Sequence, residues 1–129
     1  MADKKQIKKT VADYFSAIRN GDLDAWLSTF AEGAISHDPV GAPPHRGREG
    51  LRQFFENIGS AFETIALHEE NLFIAGNEAA VKWHGEGTGH NGKEVTFEGI
   101  DVFEIDDEGK ITEVRAYWNP RAVLEDLEN

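Results

Sequence analysis

The strand-like segment Val95–Ile105 holds an anomaly. Its odd positions read Val95, Phe97, Gly99, Asp101, Phe103 and Ile105, while Glu94, Thr96, Glu98 and Glu104 take the even ones. Strand side chains alternate between faces, so Asp101 shares a face with the apolar residues. Burying an ionised carboxylate there is costly, and desolvation raises its pKa until the neutral acid, a hydrogen-bond donor, is the favoured form. The competing reading is a bulge at Gly99 that slips the phase and turns Asp101 to solvent. Tyr14 falls within an apolar helical stripe, where its ring is buried and its hydroxyl needs either a ligand or a backbone carbonyl. Asp38 precedes Pro39 and Val40. A carboxylate there is either partly desolvated at the mouth of a cavity or the start of an Asx-Pro turn.

These residues need elements to hold them. Ile7, Val11, Tyr14, Phe15 and Ile18 recur at spacings of three and four, which predicts a helix over Lys4–Asn20 with Gly21 at its C′ position. Asp22 caps a second helix with the stripe Leu23, Trp26, Leu27 and Phe30, ending near Gly33. Ala34–Asp38 reads as extended because the residue before proline is pushed out of the α region. From Arg48, the residues Leu51, Phe54, Phe55 and Ile58 return to helical spacing, and Gly59 stops that helix. Strands then follow, Ile65–Ala75 and Glu78–Thr88 separated at Gly76-Asn77, with hairpin signals at Asn91-Gly92 and Asp106–Gly109. The expected architecture is an α+β domain: three N-terminal helices packed on one face of a curved, mostly antiparallel sheet, forming a cone with a pocket between the layers. The acidic tail Glu125–Asn129 is expected to fray.

With 129 residues, the chain has room for one domain, 1–129. Thirteen Lys and Arg against 24 Asp and Glu give 13 − 24 = −11, a field that repels phosphate backbones and anionic membrane surfaces, so no nucleic acid or membrane is expected as a partner. There is no cysteine, hence no disulfide, thiolate nucleophile or Cys-ligated zinc. The start MADKKQIKK lacks an apolar h-region, and a cytoplasmic location is expected. Five histidines call for a metal check. His84, Glu86, Thr88 and His90 share the face opposite Val81 and Trp83 and point outward, so no metal is expected. Ser36, by parity, shares the face of Asp38 while His37 does not, and no Ser–His–Asp triad is readable. The outer face carries Ile100 and Val102 between Glu98 and Glu104, which predicts a homodimer.

Asp38-Pro39-Val40-Gly41 followed by Pro44 and Gly47, Tyr14-Phe15 with Asn20-Gly21-Asp22-Leu23-Asp24, Asn77-Glu78-Ala79-Ala80 and Gly99-Ile100-Asp101-Val102-Phe103 together resemble the bacterial Δ5-3-ketosteroid isomerases of the NTF2-like, or SnoaL-like, superfamily. The similarity runs from about Val11 to Trp118. The resemblance implies that Asp38 is the general base, Tyr14 the principal oxyanion donor and Asp101 a protonated second donor. Ketosteroid isomerase is itself a worked case of a carboxylic acid kept neutral by an apolar site, so the elevated pKa expected of Asp101 comes from the resemblance as well as from alternation. A steroid-like hydrophobic ketone would bind in an apolar cavity lined by Phe54, Phe55, Phe97, Phe103, Val114 and Trp118, with no cofactor. The chain departs from the family at Phe55, where a supporting tyrosine is common, at Gly99 in place of a proline, and at Val102. A polyketide cyclase or dehydratase, or a non-catalytic binding module, would use the same fold.

Overall fold

The computed structural model describes residues 1–128. Helix α1 (Lys4–Asn20) opens on Asp3, whose side chain accepts from the Gln6 amide at 2.8 Å, and closes on Gly21 at φ 63°. Its buried stripe includes Ile7, Val11, Tyr14 and Phe15. Asp22 caps α2 (Leu23–Leu27). Strands β1 (Phe30–His37) and β2 (His45–Arg46) lead into α3 (Gly47–Ala61). Four longer strands follow: β3 (Thr64–Ala75), β4 (Glu78–Thr88), β5 (Glu94–Ile105) and β6 (Ile111–Tyr117). Helix α4 (Pro120–Glu128) ends the described chain.

The six strands form one curved sheet in the order β2-β1-β6-β5-β4-β3, antiparallel except where β1 runs parallel to β6. The four long strands keep meander order, and each hairpin turns where the sequence marks it. One apolar core lies between the sheet and α1–α3. It holds Phe15, Trp26, Leu27 and Phe103, all almost fully buried. Each such side chain contributes roughly 1.5–3 kcal/mol of transfer free energy.

Two boundaries differ from the sequence reading. The second helix stops at Leu27, and Phe30 and Gly33 belong to β1 rather than to a helix end. Phe30 satisfies a helical spacing from Leu27, but it pairs with Ile111 of β6, and the non-local ladder outweighs the local period. Gly33, at φ 76°, lies where the β1–β6 register shifts between Phe30 and Ile35, a bend that its missing Cβ permits. The second correction is a fourth helix where a frayed tail was expected. Asn119 Oδ1 accepts from the Ala122 amide at 3.1 Å, Pro120 takes the first helical position, and Val123 and Leu127, one turn apart, bury against Phe62 and Val95. Asn129 lies outside the described residues.

Candidate active site

The open question about Asp101 is answered by register. Strands β4 and β5 pair without a slip from Glu78↔Glu104 to Thr88↔Glu94, so no bulge interrupts Gly99. Asp101 therefore keeps its inward phase and is 2% exposed. Its Oδ1 accepts a 3.0 Å hydrogen bond from the Trp83 indole N–H. Burial drives its pKa well above the usual carboxylate range, the nearby charge of Asp38 pushes the same way, and the Trp83 bond opposes both.

Asp38 follows the last residue of β1. It is half-buried, keeping some exposure at the cavity mouth while protein closes around its carboxyl. Its Oδ1 accepts from the Trp118 indole N–H at 2.6 Å, not from a turn amide of its own loop. Burial raises its pKa from 3.8 to about 6, against the Trp118 bond. The following loop is held on β6 by the Val40 amide, which donates to the Ala116 carbonyl at 2.8 Å.

Tyr14 is buried on α1 with its ring edge-to-face on Phe103, 4.9 Å away. Burial, then the charges of Asp101 and Asp38, push its pKa well above 10, so the phenol stays neutral. The Trp26 N–H is near enough to ease that shift, yet its geometry makes no hydrogen bond and it is buried without a partner. Among the described residues, no backbone carbonyl accepts the Tyr14 hydroxyl.

Tyr14, Asp38 and Asp101 border one apolar cavity of about 680 Å³, its open mouth included. Phe54, Phe55, Phe97 and Trp118 line it as the sequence indicated. Phe103 and Val114 do not: both are fully buried, Phe103 behind Tyr14 and Phe15, and Val114 beside it in the β5–β6 register. Alternation puts them on the inner face but does not say how deep along the strand the cavity reaches. The sequence reading missed Trp26, Trp83, Ile18, Ile58 and Leu67 as lining residues. Inward parity marks Trp83, but only the register places its N–H on Asp101.

Elsewhere, His68 and His84 stack at 5.0 Å on the outer face, near Glu86 and Glu70 respectively. Ser36 is wholly buried, its hydroxyl without a partner. Among the described residues, no three His, Asp or Glu side chains are arranged to hold a metal ion, and no helix is long and apolar enough to cross a membrane.

Residues 11–114 match the SnoaL-like domain model. The chain is 32% identical to a steroid Delta-isomerase of Nocardioides simplex over 115 residues, covering 89% of this chain and 91% of that protein. Among solved structures, it is similar to SalBIII, an epoxide hydrolase/cyclase-like enzyme in pyran ring formation in the polyether salinomycin. There the identity is 32% and the TM-score 0.84, over 92% of this chain and 95% of the other. It is also similar to the Δ5-3-ketosteroid isomerase of a Mycobacterium species, with 27% identity and a TM-score of 0.78 over 91% and 95% of the two chains.

Proposed function

The chain belongs to the SnoaL-like domain family, and from that premise we propose that it is a cofactor-independent isomerase that moves a C=C double bond into conjugation with a ketone. The observation that carries this reading is one apolar cavity bordered by a carboxyl with a pKa of about 6 and by two groups held neutral, Asp101 and Tyr14. Asp38, ionised near neutral pH, takes the proton from the carbon between ketone and double bond. The C–H electrons form a C=C to the ketone carbon as the C=O π pair moves onto oxygen, giving a dienolate whose oxygen carries the negative charge. Tyr14 and the neutral Asp101 donate hydrogen bonds to that oxygen, where preorganised donors in a low-dielectric site are worth most. Asp38 then returns the proton two carbons away. No electron leaves the substrate, so the balance closes without an oxidant or metal.

The apolar lining suits a flat hydrophobic ketone of steroid-like character. Similarity to a steroid Delta-isomerase over most of the chain supports this class. The similarity to SalBIII favours a second reading, a cyclase in which the same carboxyl pair works as base and acid on an oxygen-rich substrate. We also propose a homodimer built on the outer sheet face. The test of the first reading is a spectroscopic screen of β,γ-unsaturated ketones, steroidal and smaller, in which conversion gives the absorbance of a conjugated enone. Enone formation from the steroidal members is expected. Failure with every ketone, with turnover of hydroxy-epoxides instead, would leave the cyclase reading in its place.

A further inference from the structure

We propose that Trp83 is a positioning residue: its indole N–H, seated on Oδ1 of Asp101, makes that oxygen the carbonyl of the neutral acid and leaves the acidic proton on Oδ2, available to the cavity. The inference deepens the reading above, which needs Asp101 as a neutral donor. A carboxylic acid has two unlike oxygens, a carbonyl that accepts well and a hydroxyl that donates. Alone in an apolar pocket, nothing decides which of the two carries the proton. A fixed N–H decides it, because the carbonyl is the stronger acceptor. Trp83 and Asp101 are each 2% exposed and the bond is 3.0 Å long. Oδ2 takes no partner among the described residues, and Asp101 borders the cavity. Accepting on the carbonyl also polarises the O–H, so the same bond that orients the donor strengthens it.

The sheet is built to admit this indole. Trp83 pairs with Gly99 in the β4–β5 register, two residues from Asp101 on the same face. A Cβ on Gly99 would sit 2.5 Å from Trp83 Cζ2, 2.7 Å from the Tyr117 carbonyl oxygen and 3.0 Å from Trp118 Cβ. The glycine therefore clears the slot that Trp83 fills across β5. The edges of Phe97 and Trp118, with ring centroids 5.9 and 6.2 Å away, pin it there. Gly99 has an ordinary backbone conformation, so its value lies in the space, not in φ.

Infrared difference spectroscopy of the ligand-free protein, wild type minus Asp101→Asn, isolates the C=O stretch of the protonated Asp101. In Trp83→Phe that band is expected to move to higher frequency, because the carbonyl loses its donor. Gly99→Ala keeps the indole but displaces it, and should move the band the same way even if Trp83→Phe folds poorly. Both variants should lose roughly fivefold in kcat on a β,γ-unsaturated ketone, the kinetic equivalent of one neutral hydrogen bond. A band unmoved in both variants, or the absence of any protonated-acid band in the wild type, overturns the proposal. Band shifts in a protein that isomerises no ketone would uphold the positioning role and reject the proposed reaction. Isomerisation with an unmoved band would do the reverse.

Discussion

Asp38 and Asp101 are one residue type in one cavity, and their surroundings assign them opposite charge states. Two carboxylates that share an apolar site do not both ionise cheaply. Asp38, nearer solvent, is raised to about 6, whereas Asp101 is driven well above the ordinary carboxylate range by its burial and by the charge of Asp38. Since the proposed base works only when ionised, kcat/KM should rise with pH through about 6 and level off above it, as a pH–rate profile would record. Stability runs the other way. The folded pKa of about 6 exceeds the ordinary 3.8, so the contribution of Asp38 is full below 3.8 and is lost as pH rises through 6. Asp38→Asn should therefore raise the unfolding free energy from denaturant titration at pH 7 by on the order of 1 kcal/mol, with the gain shrinking toward pH 4. For the two donors the test is a phenolic steroid against its deoxy analogue, titrated by fluorescence. Tyr14→Phe and Asp101→Leu should each weaken the preference for the phenol by roughly 1–3 kcal/mol, and Asp101→Asn, which keeps a donor, by less. The inward phase of Asp101 was legible from alternation. The indole donors on both carboxyls were not, because Trp83 and Trp118 meet their acceptors only across strand register and loop path.

At the scale of elements, local patterns were readable where they agreed with tertiary pairing and failed where they did not. The stripe of α1, its Gly21 cap and the three hairpin turns are local signals, and each lies where the residues indicated. Phe30 was drawn out of a helical period by β6, and α4 was overlooked because its acidic surface masked the pair Val123 and Leu127. The depth of the cavity is likewise a product of packing. Phe103 lies under Tyr14 and supports it rather than meeting a ligand, and it is wholly buried. Phe103→Ala should thus cost about 3–5 kcal/mol in urea unfolding. In the folded fraction, KM should stay closer to wild type than in Phe97→Ala, whose ring borders the cavity.

The whole molecule is a sheet covered on one side, with a net charge of −11. On the uncovered side, Phe73, Ile100 and Tyr117 are 70%, 44% and 48% exposed. Register sets Ile100 beside Tyr117 and links Phe73 through Ala80 to Val102 on the same face. A second copy laid on this face would hide apolar surface by twofold symmetry. Sedimentation at micromolar concentration should give a dimer, and Ile100→Glu, which adds like charge at that surface, should give monomers. On the inner side, the proposed reaction has a single carboxylate, Asp38, move the proton. The most direct measurement is the initial rate of enone formation from a β,γ-unsaturated 3-ketosteroid by wild type and Asp38→Asn at pH 7. The variant keeps the shape of the side chain and an oxygen for the Trp118 N–H, so the expected rate is lower by roughly 10²–10⁴, the usual share of a general base, with affinity for a neutral ligand preserved. Equal rates in the two proteins would contradict it.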